Sequence, residues 1–284
     1  MTKSNFFKTN RATLLAGTAL ASMIGVTFAP TSALAGCVGV DTVVCTTTVA
    51  PIVPPYLQVS GGNPQSLTFT GVTITSANPI FTVGLGDGGN GVNLTYIETG
   101  APSTITNTNG GAALLVQTTG AAGDISITTI AGSLASSPSV PLFGIGIIAD
   151  VDNPASTGNI TANLGGNVVA GGFGVWAINA GSGSISVTNT GNIGFDGANV
   201  SPTGSFGIFA ESAGTPTAAS PNLGAITINN GNTAGSAGTI ASLGDGVVAN
   251  AGGGGNVVVN NNAKSAITAG LAADGKTEAA KGMG

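Results

Sequence analysis

The sequence contains no histidine and few charged residues, and these absences exclude several kinds of site. Its 284 residues include six Lys or Arg and eleven Asp or Glu, and no Lys or Arg lies between residues 36 and 263. Without histidine, a Ser-His-Asp triad has no general base. A net-acidic chain without a basic patch has nothing to bind phosphate groups, so nucleic acid is excluded as a partner and anionic lipid is not favoured.

The low charge does not indicate disorder. Only 6% of the residues are charged and the mean hydropathy is +0.42, whereas disordered chains combine low hydropathy with high charge. The sequence contains 48 Gly and 13 Pro residues. Their combined fraction is just under that typical of low-complexity chains. The sequence therefore predicts a folded chain with many turns.

The first 35 residues have the pattern of a secretory signal peptide. Basic residues precede an apolar stretch at 12–28, and Ala33-Leu34-Ala35 matches an A-x-A cleavage site. We expect cleavage between Ala35 and Gly36 and a mature chain that is exported to the cell surface, the outer membrane or the medium. No later segment is long and apolar enough to span a bilayer as a helix.

The two cysteines, Cys37 and Cys45, lie at the start of the mature chain. Outside the cytoplasm a local disulfide between them is expected, and closing so small a loop stabilises by about 2–3 kcal/mol. Two thiols without histidine make a poor zinc site, so no metal is predicted there. The proline-containing stretch at 46–55 predicts a stiff connector, and residues 36–65 are expected to form an N-terminal cap and connector.

A degenerate repeat runs through the remaining chain as a Gly followed by two apolar residues and Ala. Copies begin at Gly146, Gly174, Gly207 and Gly246, and a looser one begins at Ala113. Each is followed, after a polar break, by an alternating segment and a third short apolar piece, which are typical of strands. Three strands per repeat predict an all-β, right-handed, three-sided parallel β-helix of about six irregular coils at 66–270, with a tail at 271–284.

Helices are not expected, because β-branched residues dominate these runs and each interior Gly costs a helix about 1 kcal/mol. A β-sandwich is the alternative, but its hairpins would not repeat one three-strand order. In a β-helix, inward residues of successive coils stack into columns. One predicted column is Ile147, Val175, Ile208 and Val247, and a second is Ile125, Ile160, Ile185, Ile226 and Val257.

Two further patterns concern the strand ends and the outer surface. Asn recurs at the strand ends and is assigned to architecture, because it tolerates left-handed turns and can hydrogen-bond along a stack. Trp176 and Phe209 occupy the same place in successive copies. We expect them to face outward, where two stacked aromatic rings would suit contact with a sugar or a protein.

Together the signal peptide, the Cys-x7-Cys pair, the Thr/Pro-rich connector and the Gly- and Asn-punctuated coils resemble the passenger region of bacterial autotransporters, the type V secretion family. The resemblance covers essentially the whole chain but rests on pattern and not on a catalytic motif. It implies export through a C-terminal outer-membrane β-barrel and a role in adhesion, aggregation or biofilm. Aromatic residues stop at Phe209 and no barrel strands follow, which indicates either a truncated reading frame or secretion by another route. Truncation is favoured because the repeat still runs at Ile267, so we expect an N-terminal part of such a protein, and a fragment without function is a further alternative.

Catalysis is not predicted. Pectate-lyase-type β-helices use a basic residue and calcium-binding carboxylates, and the mature chain has no Lys or Arg before Lys264. A carbohydrate-active hydrolase needs paired carboxylates, and Asp150, Asp152 and Asp196 are the one suggestive set. Solvated loop positions are the favoured interpretation, so we expect no enzyme and no cofactor.

Two weaker motifs lie in the first coils. Residues 88–95 resemble one copy of a calcium-binding nonapeptide, but Asn93 stands where Asp is required, so no metal is predicted. Thr68, Thr70, Thr73 and Thr75 form Thr-x-Thr pairs of the kind that ice-binding solenoids present on a flat face. Thr is also a good strand residue, and a regular ladder is not predicted because the later coils carry Asn, Ala and Gly in its place.

Overall fold

The computed structural model describes residues 37–38, 41–46, 56–59, 63–137, 144–196, 199–200, 203–214, 223–232 and 234–270, with the backbone alone at 37–38, 56–59, 195–196 and 199–200. These residues belong to one compact unit, Ser32–Gly284. The predicted signal peptide, its Ala35/Gly36 cleavage site and the predicted tail at 271–284 lie outside the described residues.

All regular structure in the described residues is β, and most strands belong to three sheets. Sheet I contains β1 (Cys37–Val38), β2 (Thr42–Cys45), β4 (Gln65–Phe69), β7 (Leu94–Glu98), β10 (Ile125–Thr129), β13 (Ile160–Leu164), β16 (Ile185–Asn189), β21 (Ile226–Asn230) and β24 (Val257–Asn261). Sheet II contains β5 (Thr73–Ser76), β8 (Thr104–Asn107), β11 (Leu134–Ser137), β14 (Asn167–Ala170), β17 (Asn192–Ile193), β22 (Thr239–Ala241) and β25 (Ala266–Thr268). Sheet III contains β3 (Tyr56–Val59), β6 (Phe81–Gly86), β9 (Ala112–Thr118), β12 (Ile145–Val151), β15 (Phe173–Asn179), β20 (Phe206–Ser212) and β23 (Asp245–Ala251).

The chain visits the three sheets in the same order in every coil. A strand of sheet I is followed by one of sheet II and one of sheet III, and each pairs in parallel with its equivalent in the next coil. Six complete coils run from β4–β6 to β21–β23. A short antiparallel hairpin of β18 (Phe195–Asp196) and β19 (Asn199–Val200) is inserted in the fifth. The predicted three-sided solenoid of about six coils is confirmed.

The sheets begin earlier than the predicted boundary at residue 66. Strand β2 pairs in parallel with β4, and β3 pairs with β6, so two strands from the expected cap and connector belong to the solenoid. Strand β1 pairs antiparallel with β2 and places Cys37 directly opposite Cys45. Among the described residues, no helix is long and apolar enough to cross a membrane.

Both predicted apolar columns lie in the interior. Ile147 pairs with Val175, which pairs with Ile208, and the column extends back to Leu114. The members of the second column are also in register, and from Ile125 to Ile226 they are at most 1% exposed. At the last described coil this column ends in Val257, which is 44% exposed.

The repeated glycine has a packing role inside sheet III. Gly146, Gly174 and Gly207 are buried, and a Cβ atom built on each would meet a buried side chain of sheet II. A Cβ atom built on Gly174 would lie 2.5 Å from Cγ2 of Ile193 in sheet II. The motif therefore keeps space for side chains that cross the narrow core.

Candidate functional site

The outer face of sheet III carries a cluster of aromatic side chains. The rings of Phe173 and Trp176 are stacked with centroids 4.9 Å apart, and Phe173 and Phe206 lie 5.0 Å apart. Phe209 completes the cluster, in edge-on contact with Trp176 at 6.4 Å. The register pairs Trp176 with Phe209 one coil apart, so the predicted equivalence of the two positions is confirmed.

These aromatic residues are not equally accessible. Phe209 is only 6% exposed, whereas Trp176 is half-buried and packs with a second apolar cluster, separate from the interior, that contains Phe81 and Ile145. The indole Nε1 of Trp176 is buried and has no hydrogen-bond partner among the described residues. The contact role predicted for the pair therefore falls mainly on Trp176.

Asp150 lies beside this cluster in the last part of β12. Its Oδ2 atom accepts a hydrogen bond of 2.9 Å from Nε2 of Gln117 in the preceding coil, and its side chain is 7% exposed. Burial, and then the negative charge of Asp152, raise the pKa of Asp150 to about 7. Burial also raises the pKa of Asp152. One of the two carboxyl groups can thus hold a proton near neutral pH.

The three carboxylates of the predicted hydrolase set are not on one element. Asp150 and Asp152 are two residues apart at the end of β12, whereas Asp196 lies in β18, within the hairpin that follows sheet II strand β17. The side chain of Asp196 is outside the described residues. The interpretation of Asp150 as a solvated loop residue was wrong, because it lies within a strand and is almost fully buried.

The predicted nonapeptide resemblance at 88–95 is a turn organised by Asp87. The carboxylate of Asp87 accepts hydrogen bonds from the backbone N–H groups of Gly89 and Gly91, from the backbone N–H of Thr119 and from the hydroxyl of Thr118. The positive φ values of Gly89 and Gly91, 90° and 66°, explain the glycines. In the part of the chain described, no three His, Cys, Asp or Glu side chains are grouped to hold a metal ion.

The predicted Thr-x-Thr pairs fall on different parts of the coil. Thr68 lies in β4 of sheet I, while Thr73 and Thr75 lie in β5 of sheet II. The hydroxyl of Thr70, in the turn between them, lies 3.1 Å from the hydroxyl of Thr99 in the next coil. The four residues therefore do not form one flat face.

A longer array of hydroxyl groups occupies the outer face of sheet I. At the position after the inward column residue, every coil from β2 to β21 carries Ser or Thr, in direct register. This hydroxyl row consists of Thr42, Ser66, Thr95, Ser126, Thr161, Ser186 and Thr227.

A second row runs parallel to it, two residues further along each strand. It consists of Val44, Thr68, Ile97, Thr128, Asn163, Thr188, Asn229 and Asn260. Neither row contains a charged or aromatic residue. The hydroxyl row could have been found in the sequence by aligning the strands on their inward Ile residues and reading the next position.

The sequence also gave no indication of an acid inside the core. Glu98 is buried and its Oε1 accepts a hydrogen bond of 2.7 Å from the hydroxyl of Tyr96, which is fully enclosed. The backbone N–H of Ile130 donates to Oε2 at 3.3 Å. Burial raises the pKa of Glu98, and the hydrogen bonds from Ser133, Tyr96 and Ile130 oppose that shift.

Comparison with known proteins identifies no relative. No family model matches the sequence, and neither a curated protein nor a solved structure matches the chain.

Proposed function

We propose that this protein is an exported surface or secreted β-solenoid of the autotransporter-passenger type, with a structural or adhesive role. The observation that carries the proposal is the repetitive three-sided solenoid, whose outer faces display an aromatic cluster, the hydroxyl row and the mixed second row. The signal-peptide pattern at residues 1–35 adds export to this architecture. Such a surface favours contact with partners over chemistry in a cleft.

Within this proposal Trp176 is the contact residue of sheet III. Its side chain is partly exposed and its ring stacks on Phe173, and the buried indole N–H has no hydrogen-bond partner among the described residues. A partner with an apolar face, such as a sugar ring or a protein loop, can pack on the exposed part of this ring.

The test uses the full chain expressed with its leader in a bacterial host. We expect an N-terminus at Gly36 in the exported protein, accessibility to antibody on intact cells or in the medium, and adhesion or aggregation of cells or coated beads. Trp176→Ala should reduce adhesion, while the control Ile178→Ala, on the same face and also half-buried, should not. An intracellular protein with an intact N-terminus, or an exported protein without adhesive effect, contradicts the proposal.

A second candidate is glycan hydrolysis by Asp150 and Asp152. It is favoured by their proximity and by the raised pKa of Asp150, because glycosidases pair a protonated and an ionised carboxyl group. Release of reducing ends from polysaccharides by the purified protein, lost in Asp150→Asn and Asp152→Asn, would establish it. Equal release by both variants, or none by the wild type, ends this candidate.

A further inference from the structure

The hydroxyl row on sheet I has groups available for an external partner. Its inner neighbours are buried core residues, so the strand alternation fixes each Ser or Thr side chain on the outside. In the described structure none of the seven hydroxyl groups is hydrogen-bonded to a protein atom, whereas other hydroxyls, such as those of Thr82 and Ser137, donate to backbone carbonyl groups. The row therefore directs seven donors and acceptors outward.

The spacing of these groups is regular in two directions. Adjacent coils place equivalent residues about 4.8 Å apart, and residues two apart on one strand are about 6.7 Å apart. A flanking row of side chains, Asn93, Asp124 and Asn159, forms hydrogen bonds between coils. Each accepts, through its Oδ1 atom, a hydrogen bond from a backbone N–H group of the next coil; the donors are Asp124, Asn159 and Ser184 in turn. These bonds tie neighbouring strands of the face together along the stack.

The chemistry of the array restricts its partner. An ionic partner is disfavoured because neither row carries a charge, and Asp124 in the flanking row is negative like the chain as a whole. A soluble glycan gains little, because the rows hold no aromatic ring to stack on a sugar and a hydrogen bond exchanged with water contributes only about 1 kcal/mol. Two uncharged rows whose spacing is set by the register of the sheet can engage many groups of an ordered partner at once.

We propose that the outer face of sheet I, formed by the hydroxyl row and the second row, is a surface that binds ordered water at the face of an ice crystal. In the hydroxyl row Thr42, Thr95, Thr161 and Thr227 add methyl groups to the hydroxyl groups, and the second row mixes Thr with Val44, Ile97 and three Asn residues. The face is therefore a mixed apolar and hydrogen-bonding surface of the kind that ordered water can contact. This function goes beyond the proposed adhesive role and uses a different face of the solenoid.

The experiment measures inhibition of ice recrystallisation and thermal hysteresis with the full chain exported from its leader. Wild type should inhibit recrystallisation, and Ser126→Lys and Thr161→Lys, which place a charge in the middle of the row, should abolish the effect. The matched control Thr104→Lys lies on the outer face of sheet II and should leave it unchanged. Circular dichroism and urea unfolding confirm that each variant is folded.

A second pair of variants tests the row by gain of function. Ser126→Thr with Ser186→Thr adds methyl groups within the row and should strengthen inhibition, whereas Thr227→Ser should weaken it. The proposal is overturned if the folded wild type has no effect on ice, or if the row variants and Thr104→Lys behave alike. Retention on crystalline cellulose, lost in the row variants and without any effect on ice, would overturn it in favour of a polysaccharide surface. The adhesive role is tested with Trp176→Ala and ice binding with the variants of the hydroxyl row. Loss of adhesion can therefore be distinguished from loss of ice binding.

Discussion

The side-chain amide of Asn189 donates a hydrogen bond of 2.8 Å to Oδ1 of Asn230 in the next coil. Asn230 in turn donates to Oδ1 of Asn261 at 2.9 Å and to the carbonyl of Ala266 at 3.0 Å. Asn189 and Asn230 are fully buried, so these bonds form an amide ladder inside the corner between sheets I and II. The ladder satisfies backbone groups that the turn leaves without sheet partners.

Replacing Asn230 by Ala should destabilise the solenoid. The change removes the acceptor of Asn189 and the donor to Ala266 within a buried corner, and each buried group left unsatisfied costs about 1–3 kcal/mol. We expect a clear fall in the midpoint of urea unfolding. The control is Asn260→Ala, which breaks an exposed bond of the same kind, 2.8 Å long, to Asn229 and should cost under about 0.5 kcal/mol. Equal losses in the two variants would refute a special role for the buried ladder.

Gly174→Ala should also destabilise the protein, by overpacking. The new methyl group would lie 2.5 Å from both Cγ2 of Ile193 and the carbonyl oxygen of Gly207, and insertions of this kind cost about 1–3 kcal/mol. Gly86→Ala is the matched control, since its Cβ would meet nothing closer than 3.6 Å. Thermal unfolding of both variants checks the prediction, and a neutral Gly174→Ala would show that the repeated glycine is not a packing requirement.

The coil architecture could be predicted from the sequence because the residues that produce it recur periodically along the chain. Inward Ile and Val residues recur at strand spacing, so the columns through Ile147 and Ile185 could be read without coordinates. The function of Gly174 could not, because its neighbour Ile193 belongs to another sheet and lies nineteen positions away in the sequence. A contact across the core leaves no local pattern.

The candidate surfaces were predicted less completely for the same reason. Trp176 and Phe209 were recognised as equivalent, since the motif itself aligns them, but the burial of Phe209 depends on how neighbouring side chains pack. Asp150 was interpreted as a loop residue because acidic residues cluster in turns. Its position opposite Gln117 requires the register of β9 and β12. The alternation of Ser and Thr in the hydroxyl row hid a pattern that a search for Thr-x-Thr did not detect.

The Cys37–Cys45 disulfide remains a prediction that the backbone geometry favours. Directly opposed residues of an antiparallel pair have Cα atoms about 4.5–5.5 Å apart, within the range of about 4.4–6.8 Å that disulfides require. The intact exported protein should have a mass lower by two hydrogen atoms than after reduction, and reduction should lower stability by about 2–3 kcal/mol. Alkylation of both cysteines in the unreduced, denatured protein would contradict it.

Stability should fall as the pH rises from about 4 to about 8. The pKa of Asp150 is about 7 in the folded protein and near 3.8 when the group is unperturbed, so the folded state binds more protons in this range and each pKa unit corresponds to about 1.4 kcal/mol. The stabilisation is complete below the unfolded pKa and is lost as the pH rises through the folded one. The raised pKa values of Glu98 and Asp152 act in the same direction.

Asp150→Asn should remove a large part of this dependence. The amide keeps the shape of the protonated acid and can still accept the hydrogen bond from Gln117, so the variant should match wild type at pH 4 and exceed its urea midpoint at pH 8. Asp245→Asn, at an exposed position in sheet III, is the control and should follow the wild-type curve. A raised pKa favours the folded state only on the acid side. The prediction is therefore contradicted if the stability of the wild type rises between pH 4 and 8. It is also contradicted if the curve of Asp150→Asn runs parallel to that of the wild type, because the buried carboxyl group would then not govern the response.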